Sequence, residues 1–468
     1  MTQQASNRPK RQKHKSKPRP TADTADVAGL AARQAAAKLL AAVVDAGTPL
    51  DGMTDAAHGH PQYRALDERD RALVRAILNT ALRRRRTIEA ILAARIDRPL
   101  PANARTLVHV MHVALAQMLF LDIPDSAAVD VAVEHAKADP RTARFAGLVN
   151  AVLRGVARDK GKALPEVADA PDWFIKRLEA AYGKAEAEAI LAAHRLEPTI
   201  DFSVKSDAVG WAEKFGGEVL PTQSVRLGKL DGPVTALPGF EDGQWWVQDA
   251  AAALPARLMG DIAGKRVADL CAAPGGKTAQ LALAGADVTA FDISANRLKR
   301  LEQNLSRLNL PARTEVGDIA KHQPVGLFDA VLLDAPCSST GTVRRHPDVL
   351  WTKSEADIVK LAGVQRALLD EAVRLTKPGG VIVFSNCSLD PLEGEELVAA
   401  FLKETPGVAL DPVKQDELPG IAGFVTAEGT LRTTPAGLKL ATPELSGLDG
   451  FFAARFRKRQ VPDGYAST

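Results

Sequence analysis

Val267 to Thr278, V-A-D-L-C-A-A-P-G-G-K-T, decides the fold. Its first residues, from Arg266 to Leu270, form a short apolar run of the kind that makes a buried strand. Two glycines and the start of a helical pattern follow. Strand, Gly-rich turn and helix together open a doubly wound α/β sheet. Glycines let the backbone approach a ligand closely, and the free amides of a helix N-terminus favour an anionic group such as a carboxylate. The spacing is neither a Walker A loop nor G-x-G-x-x-G.

Downstream, Val288 to Ile293, Thr314 to Val316, Ala330 to Leu333 and Val381 to Phe384 are strand-like, with helices at Ser294 to Leu308 and Ser354 to Thr376. Such an alternation predicts a mostly parallel sheet, whose ligands bind at the carboxyl ends of the strands. Those ends carry acids in succession: Asp292, then Gly317-Asp318, then Asp334. Any one of them alone reads more readily as a helix cap or turn residue. As a series on one edge they fit a nucleoside, with Asp292 on ribose hydroxyls and Asp318 near an adenine.

The fourth of these strands runs into D-A-P-C-S-S-T-G-T-V-R-R-H-P-D-V-L-W, Asp334 to Trp351, and the fifth into F-S-N-C-S-L, Phe384 to Leu389. Cys337 and Cys387 therefore belong at adjacent strand ends. A lone cysteine is usually an inert small hydrophobe. Two at ligand-side strand ends, with Asp334 and Lys277 near, point to catalysis.

The N-terminal part differs. Residues from about Asp26 to Arg158 are rich in Ala, Leu and Arg at helical spacing, without strand signals, which predicts an all-α bundle. Leu39, Leu40, Val43 and Val44 form one stripe. Asp67 to Asp70 open a helix with acids in its first turn, followed by Leu73, Ile77 and Leu78 on the buried face. Helices also follow at Ala102 to Phe120, Ser126 to Ala138 and Phe145 to Ala157. Arg83 to Arg86 would point around a helix in all directions, so some must be exposed; a nucleic-acid contact and a solvated helix end are both open readings. One or two helices are expected from Pro171 to Ala193. Strand-like runs at Ile200 to Val204, Glu218 to Leu220, Val225 to Leu227 and Trp245 to Val247 then predict a small α+β module.

Composition sets outer bounds. The chain has 468 residues, 46% hydrophobic and 25% charged, as expected of a globular multidomain protein, and its net charge of +3 says little about partners. Met1 to Pro20 carries seven Lys or Arg and no acid. That is either a disordered arm able to contact nucleic acid or a solvated tail. It lacks the apolar core of a secretory signal. No apolar run reaches membrane-spanning length, and Leu107 to Leu121, interrupted by His109, His112 and Gln117, reads as a buried helix. Three scattered cysteines (Cys271, Cys337, Cys387) exclude a disulfide framework and a CxxC zinc site, and point to a reducing cytoplasm.

C-A-A-P-G-G-K-T (Cys271 to Thr278), F-D-I-S (Phe291 to Ser294), D-A-P-C-S (Asp334 to Ser338), R-R-H-P-D (Arg344 to Asp348), N-C-S-L (Asn386 to Leu389), Val247-Gln248-Asp249 and Asp449-Gly450-Phe451-Phe452 together resemble the RNA cytosine-C5 methyltransferases of the Nol1/Nop2/Sun type. The helical part, with V-N-A-V-L-R at Val149 to Arg154, is similar to the RNA-binding antitermination factor NusB. That pairing is the layout of the Sun/Fmu (RsmB) subgroup, which modifies cytosine 967 of 16S ribosomal RNA.

The resemblance implies a basic tail (1–25), a NusB-like RNA-binding domain (26–160), a helical and small α+β module (165–245) and a Rossmann-like S-adenosylmethionine-dependent methyltransferase domain (246–460). It also implies roles. Cys387 is the nucleophile that adds to carbon 6 of cytosine, turning carbon 5 into a nucleophile toward the donor's methyl group. Cys337 assists loss of the carbon 5 proton and enzyme release. Asp334 holds the base edge, and Lys277 favours the thiolate or binds a phosphate. The donor is held by Cys271, Ala272, Ala273, Pro274, Gly275, Gly276, Lys277, Asp292, Asp318 and Asp334. Arg344, Arg345 and His346 either meet RNA phosphate or form structural salt bridges. The expected partner is 16S rRNA, with a target base that must be unstacked, and the expected enzyme is a monomer with no metal and no membrane contact.

Departures from the family pattern are Asn386 in place of Thr, Ser339 in place of Gly, Glu393-Gly394-Glu395 in place of E-N-E, and Ser203-Val204-Lys205 in place of Arg-Val-Asn. The same chemistry on tRNA or another rRNA site is one alternative, and a non-catalytic RNA-binding ribosome-assembly factor is another.

Overall fold

Alanine and leucine at helical spacing fold the first segment into α1 (Leu30–Ala46). After α2 (Leu50–Met53) and α3 (Pro61–Arg64), the Asp67 carboxylate accepts the Asp70 N–H at 2.7 Å and starts α4 (Glu68–Arg83). The chain breaks at Arg84 and resumes as α5 (Arg85–Ala93). α6 (Thr106–Phe120) is apolar nearly all round and becomes the buried centre of the bundle, closed by α7 (Asp125–Ala138) and α8 (Ala146–Arg158). Two of its polar residues find hydrogen-bond partners, while the buried His112 has none among the described residues. Gln117 accepts from Arg33 Nε at 2.9 Å, and His109 meets Asp45 at 2.8 Å. The protein's structure, a computed structural model, describes residues 28–230, 232–321 and 326–460, so the basic run Met1 to Pro20 lies outside the described residues.

α9 (Asp172–His194) follows, broken at Gly183. Its Phe174, Leu178 and Ile190 pack against Val343, Leu350 and Leu389 of the C-terminal part. Next comes a small antiparallel sheet of β1 (Ile200–Val204), β2 (Glu218–Val219), β3 (Val225–Leu227) and β4 (Trp245–Val247), in the order β2-β3-β1-β4, with α10 (Ala208–Phe215) beside it. Phe202, Phe215 and Trp245 form its aromatic core, with ring centres 4.9–5.6 Å apart. A wholly buried Arg226–Asp201 pair at 2.6 Å ties that sheet together.

After α11 (Leu254–Arg257) the large sheet begins. β5 (Arg266–Leu270), α12 (Gly276–Leu283), β6 (Asp287–Asp292), α13 (Ala295–Arg307), β7 (Arg313–Val316), β8 (Phe328–Asp334), α14 (Val349–Thr352), α15 (Glu355–Leu375), β9 (Thr376–Asn386) and α16 (Glu395–Glu404) alternate as the periodicity predicts. The order is β10-β12-β9-β8-β5-β6-β7, with β11 on β12. Strands β5 to β9 are parallel; β10 (Val408–Leu410), β11 (Leu431–Thr433) and β12 (Phe451–Lys458) are antiparallel to their neighbours. Those three are absent from the sequence prediction. F-F-A-A-R-F-R-K does not alternate, because β12 is buried on both faces and its Arg455 is neutralised by Glu417 at 2.6 Å. Alternate residues face opposite helix layers: Ile382 and Phe384 meet α15 and α16, while Val383 meets α11 and α12.

The arginine run behaves differently from its sequence reading. None of Arg83 to Arg86 is fully exposed. Arg83 donates to the Arg344 carbonyl at 2.8 Å, Arg84 lies over Phe120, Arg85 lies 4.4 Å over the Trp351 ring, and Arg86 reaches Asp172 at 3.4 Å. Trp351 in turn donates from its indole N–H to the Leu82 carbonyl at 3.1 Å. The guanidinium groups are spent largely on the seam between bundle and catalytic sheet.

Candidate active site

The Cys271 to Gly276 turn leaves β5 with Cys271 at φ 61°. Gly275, at φ 102°, caps α12, and a Cβ there would meet Leu301 Cγ at 2.7 Å, so only glycine fits. Asp292, at the end of β6, is buried; its two oxygens accept from the Ala273 N–H (3.2 Å) and the Ser294 N–H (2.9 Å). Arg297 adds an ion pair at 3.3 Å to the same carboxylate and a hydrogen bond at 2.5 Å to the Ala273 carbonyl. The Asp292 carboxylate therefore fixes the turn. Beside it Ile293 is 75% exposed, an apolar surface left facing solvent at the strand end. Asp318 lies one strand further out, paired with Lys321 at 3.3 Å.

Asp334 ends β8 opposite Ser385 of β9. One of its oxygens accepts from Ser385 Oγ at 3.0 Å, and the other meets Lys277 Nζ at 2.7 Å. The Lys277 ammonium is nearly buried and lies 5.0 Å over the Phe451 ring. A cavity of about 340 Å³ opens between β4 and the glycine turn and reaches Lys277 and Asp334; Gln248 and Asp249 form its far wall.

Cys337 and Cys387 face each other with their sulfurs 3.4 Å apart. The hydrogen bond between them polarises the pair. Cys387 as acceptor is held below the ordinary thiol range, with help from Ser339 and Lys277, and Cys337 as donor is pushed well above it. Cys271 is a different case: burial, with Asp334 and Asp292 near, raises it to about 12, so it remains a thiol.

Behind the two cysteines lies a carboxylate that sequence reasoning passed over except as a departure. Glu393 is completely buried. It accepts from Ser338 N–H at 2.9 Å, Ser338 Oγ at 2.5 Å, Ser388 Oγ at 2.6 Å and Gln365 Nε2 at 2.8 Å, while its own carbonyl accepts from Asn386 Nδ2 at 2.6 Å. Ser338 follows Cys337 and Ser388 follows Cys387, so one side chain ties both cysteine loops. Gly341 completes the tie: it donates to the Cys387 carbonyl at 2.9 Å and accepts from Gly450 N–H at 2.9 Å. A Cβ at Gly341 would collide with the Gly450 carbonyl oxygen. Ser339 takes φ 60°, a conformation in which glycine is unstrained.

Asp269 is a second residue that was missed. It is fully buried in β5 and accepts from Thr278 Oγ at 2.6 Å; burial pushes it up to about 7. Asp269 and its partner Thr278 sit inside the stretch that decides the fold, at the spacing of strand and helix start.

Arg344 and Arg345 take the structural one of their two open readings. Arg345 is gripped by Asp249 at 2.5 Å, Asp449 at 3.1 Å and the Thr199 carbonyl at 2.7 Å. Arg344 is 2% exposed and donates to the Ser446 carbonyl at 3.3 Å. Their acids lie far away in sequence and hold the loop, so these two guanidiniums brace structure. His346 pairs with Asp51 of the bundle at 3.5 Å.

Among the described residues, no group of three or more His, Cys, Asp or Glu could hold a metal ion, and no helix is long and apolar enough to cross a membrane.

Comparison with known proteins covers nearly the whole chain. Residues 259–457 match the family described as 16S rRNA methyltransferase RsmB/F, and residues 30–158 match the NusB family. A protein of Cronobacter sakazakii named ribosomal RNA small subunit methyltransferase B is 34% identical over 452 residues, covering 91% of this chain and 98% of its own. The Salmonella typhi protein of the same name is 34% identical, covering 83% and 94%. In fold, the crystal structure of PH0851 covers 92% of this chain and 99% of its own at TM-score 0.69 and 24% identity. A methyltransferase homolog protein from Pyrococcus horikoshii covers 61% and 94% at TM-score 0.50 and 27% identity.

Proposed function

The chain belongs to the RsmB/F family of 16S rRNA methyltransferases, joined to a NusB-family domain, and from that premise we propose that it methylates carbon 5 of a cytosine in 16S rRNA, at position 967, through a covalent cysteine adduct. The observation that carries this reading is the Cys337–Cys387 pair, 3.4 Å apart, beside the Lys277–Asp334 ion pair.

S-adenosylmethionine is the donor, and when bound it supplies an electrophilic methyl group. The residues fit it. The glycine turn from Cys271 to Gly276 admits close approach, Asp292 lines the end of β6, and the exposed Ile293 offers an apolar face to a planar ring. Asp318 and Asp334 border the same strand edge.

Cys387 carries the lowered pKa and is the nucleophile toward carbon 6. Asp334, with one oxygen anchored by Lys277, accepts from the amino edge of the base and orients the ring. Once carbon 5 is methylated, its proton leaves and the Cys387–carbon 6 bond breaks, restoring the aromatic ring. Cys337, 3.4 Å from that sulfur, is the base that, as thiolate, takes the carbon 5 proton while the C–H electron pair re-forms the ring double bond and Cys387 departs as thiolate. The base reaches the pocket only when unstacked.

Methyl transfer from labelled donor to small-subunit rRNA tests the reading. Cys387→Ser is expected to abolish transfer, and Cys337→Ala to leave a protein–RNA adduct on a denaturing gel. Full activity in Cys387→Ser sinks the mechanism. Bisulfite mapping of rRNA from a deletion strain locates the target, and loss of the mark at a different cytosine reassigns the substrate.

A further inference from the structure

A groove of about 560 Å³ runs along the seam between the helical bundle and the catalytic part. Arg83 and Arg84 line it from the bundle, Arg195 from the end of α9, and Arg345 and His346 from the loop that carries Cys337. Phe120, Pro198 and Ile200 supply apolar wall, and Glu197 is the one acid lining it among the described residues.

Its charges are unevenly matched. Arg345 is neutralised by Asp249 and Asp449, His346 by Asp51, and Arg195 lies 3.2 Å from Asp169. Arg83 and Arg84 have no such close acid: Arg83 donates to the Arg344 carbonyl at 2.8 Å, and Arg84 reaches the Arg195 carbonyl at 3.5 Å and lies 5.1 Å over the Phe120 ring. Arg83 Nε is buried without a partner, and so is Thr199 Oγ, whose residue lines the groove and is 3% exposed. Burial pushes Arg83 down to about 10; Glu197 opposes the shift in part, while Arg84 and Arg344 press with it. Buried cations short of counter-charge are costly, and an anion bound from outside relieves them.

We propose that this groove seats a phosphodiester of the substrate RNA, with Arg83, Arg84 and Thr199 on the phosphate and the Phe120 and Pro198 wall against the adjoining nucleoside. The assignment rests on the rRNA methyltransferase reading and extends it. The strand is held jointly by both parts of the chain and led along the Arg345 loop toward the cysteines. Arginine and backbone contacts to phosphate fix register without reading sequence.

The test uses the full-length protein and an unmodified transcript of small-subunit rRNA. Arg84→Gln should raise the dissociation constant about tenfold and flatten the slope of log affinity against log salt by about 0.7–0.9. Arg84→Lys should restore the slope, because it keeps the charge. Asn79→Lys, which adds a cation to the lining, should steepen it by a similar amount and does not depend on deleting a seam contact. An unchanged slope in both Arg84→Gln and Asn79→Lys overturns the proposal in favour of a clamp between the two parts or a seat for protein. In that event methyl transfer by the unsubstituted enzyme still supports the methyltransferase reading, and its absence would refute that reading separately.

Discussion

Replacing Glu393 by glutamine tests whether the gap between the two sulfurs is set from behind. The side chain is completely buried and accepts four hydrogen bonds at 2.5–2.9 Å, from Ser338 N–H, Ser338 Oγ, Ser388 Oγ and Gln365 Nε2. Glutamine keeps the shape. Its oxygen still accepts from Ser338 N–H and Gln365, but its new NH2 group faces two hydroxyls that must turn round to accept. Hydrogen bonds to a charged acceptor contribute about 1.5–3 kcal/mol and neutral ones about 0.5–1.5 kcal/mol. Four bonds each weakened by about 1 kcal/mol set a ceiling of about 4 kcal/mol, which removal of a buried charge partly offsets. A net loss of about 2 kcal/mol lowers Tm by about 4–8 °C in a domain of this size. The kinetic effect is larger, since misplacing a reacting group by about 1 Å costs about 100-fold in rate. Glu393 also helps to keep Cys337 protonated, so its neutral replacement moves the Cys337 thiol downward and shifts the pH profile of adduct release to lower pH. The assay is single-turnover transfer of a labelled methyl group across pH, with thermal melts in parallel. A Glu393→Gln enzyme with a lowered Tm but wild-type rate and pH profile would refute the positioning role.

Two further outcomes follow from the titrating groups. Cys387 is held below the ordinary thiol range first by the hydrogen bond from Cys337. Cys337→Ala removes that donor, so the acid limb of adduct formation in a single turnover should move to higher pH; an unmoved limb means that Cys337 does not activate the nucleophile. His112 and His194 are each pushed by burial to about 3 from an ordinary 6.5, so the folded protein keeps them neutral while the unfolded chain protonates them. Their contribution is intact above pH 6.5 and is lost as pH falls toward 3, at up to about 1.4 kcal/mol per pH unit for each. Urea midpoints should therefore drop between about pH 7.5 and about pH 5, and His112→Leu should flatten that slope; a slope unchanged in His112→Leu counts against it.

Much of the fold is legible because its signals are local. Most of the parallel strands are apolar runs closed by Gly, Asp or Cys (the edge strand β7, Arg-Thr-Glu-Val, is the exception), and β5 to β9 lie within a few residues of the predicted runs, β9 beginning earlier. The meeting of Cys337 with Cys387 follows from strand adjacency alone. What stays hidden depends on partners distant in sequence. Arg85 and Arg86 look like part of a solvent-facing or RNA-facing patch until Trp351 and Asp172 are brought against them. Arg344 and Arg345 read equally as phosphate ligands until Asp249 and Asp449 close around Arg345. Glu393 carries no mark in the sequence that separates it from Glu395 two residues on, yet one is buried between the cysteine loops and the other pairs with Arg432. β12 escapes detection because a strand covered on both faces has no alternation to betray it.

That strand has a consequence for how the protein is made. β12 lies between β9, which leads into the Cys387 loop, and β10, and the residues just before it supply Gly450 against Gly341. A ribosome releases Cys387 well before it has made Phe451. Domains fold as they emerge, at about 5–20 residues per second. For several seconds the nascent sheet therefore ends at an open β9 edge, with a Cys387 loop that lacks its brace. Pairing with β12 both closes that edge and locks the loop, so an enzyme aimed at ribosomal RNA gains its finished site only after β12 has been made.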